Sequence, residues 1–186
     1  MLARAAEVLR ARGLVAFPTE TFYGLGAAGL DRSAVRRVFE LKGRPDSSPL
    51  LVLVDGLEMA ERIAVIPPVA RGLIARHWPG ALTLVFEARD VVPEEVTAAT
   101  GKVGVRLSSH PVACGLVRAL AEPVTAPSAN LSGLLPPTSA MAVLRDFGGT
   151  IEMILDAGET AGGLPSTVLD VTVDPPRVIR QGAVTV

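Results

Sequence analysis

The sequence predicts an α/β fold built on a mixed sheet, and three observations carry that prediction. Short apolar runs of strand type alternate along the chain with segments whose apolar residues recur at helical spacing. Near the C-terminus the strand-like runs follow one another through hairpin-like connections, which an all-parallel sheet does not allow. The chain has 186 residues, 49% of them hydrophobic and 20% charged, so it can bury a sizeable core and is not disordered.

The elements follow in order. Residues 2–12 form a helix with Leu2, Ala5 and Leu9 on one face and Gly13 as its stop. Residues 14–17 are a short buried strand, cut by Pro18. Asp31 caps a second helix, on which Val35, Val38 and Phe39 keep helical spacing before it ends near Gly43. Pro49 leads into residues 50–54, which are apolar throughout and therefore predict a central strand. Residues 68–77 are helical, broken by Pro79-Gly80, and residues 82–86 are the next strand. Residues 103–107 are another strand, and Pro111 takes the first position of a helix reaching about Ala121. Residues 124–126 are short and extended. Ala140, Val143, Leu144 and Phe147 form an i, i+3, i+4, i+7 stripe closed by Gly148-Gly149. Residues 151–155, 168–173 and 178–180 finish the chain as strands. No repeat or low-complexity linker interrupts this order, and the Pro/Gly-rich stretch 133–137 is a loop, so residues 1–186 are expected to be one domain.

Composition narrows the function. Lys plus Arg total 18 and Asp plus Glu 19, a net charge of −1, which argues against a wholesale basic nucleic-acid binder and leaves a local basic groove open. Mean hydropathy is +0.42, yet the longest unbroken apolar stretches, 50–54 and 140–144, are five residues each, far below the ~18 of a spanning helix. Arg4, Glu7, Arg10 and Arg12 interrupt any signal-peptide core. The single cysteine, Cys114, excludes an internal disulfide and a thiolate zinc cluster. A soluble cytoplasmic protein without a membrane partner is expected.

One motif match misleads. Gly24-Leu25-Gly26-Ala27-Ala28-Gly29 fits the dinucleotide fingerprint, which needs its glycines directly between a strand and a helix. Here residues 18–23 separate the strand from Gly24 and the helix starts only after Asp31, so the glycines read as a turn. No Walker A loop occurs. Ser128, in Pro127-Ser128-Ala129-Asn130, lacks the glycines of a nucleophile elbow. His77 and His110 read as helix-end residues, Cys114 as a small packed hydrophobe, and no spacing of His, Cys and carboxylates describes a metal cage.

What remains is polar residues at strand ends and loops. Arginine supplies nearly all the positive charge, since Lys42 and Lys102 are the only lysines. Lys42-Gly43-Arg44-Pro45 offers a point charge and a planar fork to one polyanion, or else two solvated charges at a helix C-terminus. Ser128, Asn130 and Ser132 can meet phosphate or ribose, or simply stabilise a turn. The loop Gly162-Gly163-Leu164-Pro165-Ser166-Thr167 can present backbone N–H groups to an anion, with Arg106 and Arg180 as further fixed cations. Together they suggest a ligand bearing phosphate and carboxylate.

The motifs also form an ordered set: Pro18-Thr19-Glu20-Thr21-Phe22-Tyr23-Gly24-Leu25, Lys42-Gly43-Arg44-Pro45, Trp78-Pro79-Gly80 with Leu82-Thr83, and Val105-Arg106. Ala126-Pro127-Ser128-Ala129-Asn130-Leu131-Ser132-Gly133, Pro165-Ser166-Thr167-Val168 and Arg180-Gln181-Gly182 complete it. In these the chain resembles the YrdC family, the threonylcarbamoyl-AMP synthases, in its short single-domain bacterial form. The resemblance implies an open twisted mixed sheet flanked by helices, with a concave, positively lined surface. It implies a nucleotidyltransferase that makes threonylcarbamoyl-AMP and pyrophosphate from L-threonine, bicarbonate and ATP, for the N6-threonylcarbamoyl modification of tRNA adenosine 37 that a separate transferase complex completes. Lys42 and Arg44 would hold the ATP phosphates as the catalytic pair, with Ser48, Asn130, Thr138 and Arg180 completing the nucleotide site. Thr21, Arg106, Ser128 and Ser166 would hold L-threonine, Arg106 pairing with its carboxylate. Mg²⁺ would arrive with ATP and need no protein cage. Ser48, Leu53 and Ser108 depart from the commonest family pattern, and Lys102 lies near a nucleotide contact position. A non-catalytic paralogue bound to RNA or the ribosome is the alternative, and weak contact with tRNA or double-stranded RNA stays open. A carbamoyl-transfer domain of hydrogenase maturation proteins is set aside, because those carry zinc-finger cysteines.

Overall fold

A computed structural model describes residues 1–186. Helix α1 (Leu2–Arg10) buries Ala5, Ala6 and Leu9, and stops two residues earlier than its pattern predicts because Arg12 turns into the left-handed region at φ 64°. Strand β1 (Val15–Pro18) pairs antiparallel with β2 (Tyr23–Gly26), so two glycines read from sequence as a turn lie in a strand. The Phe17 ring explains Gly26, where a Cβ would stand 2.8 Å from that ring and 3.0 Å from Val124, whereas a Cβ on Gly24 would make ordinary contact with the same ring at 3.4 Å. Helix α2 (Arg32–Lys42) begins as expected, with the Asp31 carboxylate accepting from the Ser33 and Ala34 amides, and ends at Gly43 in the left-handed conformation.

Strand β3 (Leu51–Leu53) is followed by α3 (Leu57–Ile63) and β4 (Ala64–Val65), neither of which the sequence reading contained. Helix α4 (Pro68–His77) and β5 (Leu82–Ala88) come next, then the unforeseen single turn α5 (Glu94–Thr97), and β6 (Lys102–Arg106). Helix α6 (Pro111–Leu120) opens on its proline, with His110 Nδ1 accepting from the Val112 amide at 3.2 Å. Strand β7 (Val124–Thr125), helix α7 (Ala140–Phe147), and strands β8 (Met153–Ile154), β9 (Thr167–Asp170) and β10 (Arg177–Arg180) complete the chain. No helix is long and apolar enough to cross a membrane.

The strands form an open mixed arrangement in two parts. One sheet runs β2-β1-β8 and the other β10-β9-β5-β6-β3-β7, with β4 paired to β5. Strand β3 is central, parallel to β6 and antiparallel to β7, as its wholly apolar sequence predicts. Backbone bonds stitch the two sheets where β2 meets β7: Leu25 N–H to the Pro127 carbonyl and Ala129 N–H to the Tyr23 carbonyl, both at 2.8 Å. Forty-three buried hydrophobic residues form one cluster that includes residues of both sheets, so a single core underlies them.

Candidate functional site

A cavity of about 680 Å³ lies across this seam, lined by residues of β2, β3, β5, β6, β9 and β10 and of the loop after β7. Arg44, Lys102, Arg106, Arg177 and Arg180 line it, against Asp170 as the one carboxylate among the lining residues.

Arg106 stands at the C-terminal end of β6 with its side chain 5% exposed. Its Nη2 lies 2.8 Å from Glu20 Oε1 and its Nε donates to the Gly80 carbonyl at 3.2 Å, while Nη1 and Nη2 both reach Thr21 Oγ1 at 3.5 Å. Thr21 comes from the turn between β1 and β2, which winds around Thr19: the Thr19 hydroxyl accepts from the Thr21 and Phe22 amides and lies 3.0 Å from the Thr21 hydroxyl. Glu20, in the same turn, also accepts from the Ser108 hydroxyl and the Ser109 amide. Burial works against its charge, but the Arg106 guanidinium and the Ser108 hydroxyl hold it below the usual carboxylate range.

Ser166 is 2% exposed, and its hydroxyl is 2.9 Å from that of Thr83. Arg180 closes on it, Nη2 donating to the Ser166 carbonyl at 2.9 Å and to its hydroxyl at 3.2 Å. Gly182 makes this approach feasible, since a Cβ there would fall 2.2 Å from the Pro165 carbonyl oxygen. Arg44 is fastened to its own loop, Nη2 donating to the Pro49 carbonyl at 2.9 Å and Nε to the Ser48 carbonyl at 3.3 Å. Neither Arg44 nor Arg180 pairs with a carboxylate. Burial lowers the pKa of both, and Arg106 and Arg44 lower that of Arg180 further, so Arg180 feels both other guanidinium groups. That field suits a polyanion.

Of the residues singled out from sequence, Thr21, Arg44, Arg106, Ser128, Ser166 and Arg180 meet at this cavity. Lys42, Ser48, Asn130 and Thr138 are not among its lining residues. Lys42 is 3% exposed, and its ammonium donates to the Ser128 and Asn130 carbonyls, both at 2.5 Å. Burial and the nearby Arg44 push its pKa down to about 8. Asn130 donates from Nδ2 to the Leu131 and Leu134 carbonyls, and its Oδ1 is buried without a partner. Ser48 contributes its carbonyl to Arg44, and the Thr138 carbonyl accepts from the Thr160 amide.

Glu20 and Thr83 stand within the sequence motifs but are given no role there, and Asp170 and Arg177 are not singled out by sequence reasoning at all. Asp170, 2% exposed, pairs with Lys102 at 3.2 Å, and the Lys102 ammonium donates to Thr172 Oγ1 at 2.6 Å. A carboxylate between two threonines in an apolar chain was the available signal for Glu20. No group of three or more His, Cys, Asp and Glu side chains is arranged to hold a metal. The site offers chiefly fixed cations and hydroxyls, its one lining carboxylate, Asp170, being paired with Lys102.

Residues 7–182 match the Sua5/YciO/YrdC family model, described as telomere recombination. The threonylcarbamoyl-AMP synthase of Pyrococcus abyssi is 49% identical over 179 residues, covering 96% of this chain and 53% of the relative. That of Bacillus subtilis is 43% identical over 186 residues, covering 99% and 54%. The Escherichia coli protein of the same name is 33% identical over 185 residues, covering 97% and 95%. The chain therefore spans about half the length of the Pyrococcus and Bacillus relatives and nearly all of the Escherichia one. Among solved structures, P. abyssi Sua5 complexed with L-threonine superposes with a TM-score of 0.95 at 48% identity, covering 97% of this chain and 54% of that one. E. coli YciO does so with a TM-score of 0.90 at 27% identity, covering 97% and 88%. Full-length HypF, at 17% identity and a TM-score of 0.86, shares the fold.

Proposed function

Since the chain belongs to the Sua5/YciO/YrdC family, we propose that it joins L-threonine, bicarbonate and MgATP into threonylcarbamoyl-AMP and pyrophosphate. The observation that carries this is the cavity itself. Three arginines without carboxylate partners, Arg44, Arg177 and Arg180, share it with a fourth, Arg106, that is held beside a threonine hydroxyl. Arg106, Thr21, Ser128 and Ser166 take the threonine, and Arg44 and Arg180 take the triphosphate. Lys42, Ser48, Asn130 and Thr138 serve the nucleotide end by shaping the loops behind it. The relative solved with L-threonine supports the amino acid.

The chemistry asks little else of the protein. The threonine amine attacks the bicarbonate carbon and water leaves. A carbamate oxygen then attacks the α-phosphorus, and the bond to the β-phosphate oxygen breaks as pyrophosphate departs. Such transfer proceeds through positioning and charge neutralisation, which fixed arginines supply. Mg²⁺ comes with ATP as part of the substrate, its ligands drawn from phosphate and water. The product passes, in the cytoplasm, to a separate transferase that acts on tRNA.

The test is pyrophosphate release by the purified protein with MgATP, omitting L-threonine and bicarbonate in turn. Release that needs both, with an AMP adduct of threonylcarbamate mass, is the expected result. No release from folded protein would overturn the reading and turn attention to salt-dependent RNA binding.

A further inference from the structure

Glu20 belongs to neither ligand set above, yet it is the one carboxylate paired with any of the four cavity arginines. We propose that Glu20, braced by Ser108, is a positioning residue that aims the Arg106 guanidinium at the carboxylate of the amino-acid substrate and keeps polyphosphate away from that end of the cavity. The inference rests on the function proposed above and adds to it a basis for sorting two anions.

The geometry is that of a clamp. A guanidinium has five N–H donors in one plane, so two good contacts fix its orientation. Nε is tied to Gly80 and Nη2 to Glu20, leaving Nη1 with only its 3.5 Å approach to Thr21 Oγ1. Glu20 is itself immobilised: Oε2 accepts from the Ser108 hydroxyl, Oε1 from the Ser109 amide at 3.3 Å. Ser108 is 1% exposed, and its oxygen accepts in turn from the His110 amide at 3.2 Å. The brace thus runs from the start of α6 to the edge of the cavity. Ser108, a departure from the commonest family pattern, here gains a defined task.

The charge pattern divides the cavity. Glu20 offsets part of the Arg106 charge at close range, so what Arg106 offers a ligand is chiefly orientation and residual donors, enough for a monoanionic carboxylate. Arg44 and Arg180 carry no such counter-charge and offer the stronger field for a triphosphate. Because Arg106 and Ser108 hold its pKa below the usual carboxylate range, Glu20 is a weaker base than a free carboxylate.

Glu20→Gln keeps the shape and removes the charge. Titration with L-threonine and separately with inorganic pyrophosphate reads the two ends. In the variant, threonine affinity should fall about tenfold or more while pyrophosphate affinity holds or rises, as expected when one charged partner is lost from a paired site. Ser108→Ala, which leaves the charge and removes the brace, should lower threonine affinity by a smaller factor, about two- to fivefold. Glu20→Asp should restore part of the loss. Unchanged threonine affinity in Glu20→Gln, or an equal fall for both ligands, would overturn the proposal. If the unaltered chain binds pyrophosphate but not threonine, the functional reading fails and this inference with it.

Discussion

Lys42 shows how far a side chain's chemistry depends on where the fold puts it. Its ordinary pKa is 10.5, and burial with Arg44 nearby brings it to about 8. The folded state thus binds its proton less tightly than the unfolded chain. Between about pH 8 and 10.5 the unfolded chain holds the proton more, so this group makes stability rise with pH across that window, with a limiting slope of about 1.4 kcal/mol per pH unit. Chemical denaturation of wild type and Lys42→Met at pH 7.5 and 9.5 should show wild type gaining on the variant at the higher pH. A constant difference would mean that the ammonium is not strained by burial. The neutral amine still has two N–H groups for the Ser128 and Asn130 carbonyls, so nucleotide affinity should change little over the same range if Lys42 acts through that loop. Arg44 behaves oppositely. Its bonds go to carbonyls at the surface of its own loop, which water can satisfy, so Arg44→Ala should cost about 1 kcal/mol of stability or less while cutting ATP-dependent turnover at least about a hundredfold. Retained turnover would remove Arg44 from the phosphate site.

The last turn of the chain sets Ser166 and Arg180 through one backbone contact. Because a Cβ on Gly182 would meet Pro165 and Thr167 backbone atoms at 2.2–2.6 Å, Gly182→Ala must push the two segments apart, costing about 2–4 kcal/mol and displacing Ser166 and Arg180 together. Threonine and nucleotide binding should both weaken in this variant; a normal enzyme would show that the segments can slide. By contrast, Asp31→Ala should cost about 1 kcal/mol through lost capping of α2 and leave activity intact at saturating substrate. Elements with strong periodicity or clear stops were legible in the sequence, such as α2 with its Asp31 and Gly43 and the apolar β3. Strand β2 was not, because half of its residues are glycines, and the reason for one of them, Gly26, is the Phe17 ring packed against it. The α5 turn is too short to display a period. The stripe on α7 read correctly as a helix, yet Leu144 on it is 50% exposed, since only Val143 and Phe147 find the core. The site divides the same way. Arg106, Ser166 and Arg180 lie in recognisable motifs, whereas the partners of Lys102 and Glu20 lie 68 and 88 residues away and meet only once the sheets are formed.

At the scale of the whole molecule the cavity is a seam. Its walls come from two sheets whose strands are joined by a few backbone bonds between β2 and the segment around β7, and Arg180 is repelled there by Arg106 and Arg44. An anion bound there relieves that repulsion and ties both walls to one ligand, which only the folded chain can do. Stability should therefore rise with ligand concentration by linkage, about 2.7 kcal/mol at a hundred times the dissociation constant. For a domain of this size that corresponds to a rise in Tm of roughly 5–11 °C. Thermal melts with pyrophosphate or MgATP should show it, and the shift should shrink in Arg44→Ala and as added salt screens the guanidinium groups. Arg44 also lines the groove of about 820 Å³ between α2 and α5 that Arg32 and Arg36 share with Glu95, so Arg180→Ala, which leaves that groove intact, is the deciding variant: an equal shift there would place the anion in the groove. Those two arginines are already paired with Glu95, so that groove should compete weakly, and the seam between the sheets should account for the stabilisation.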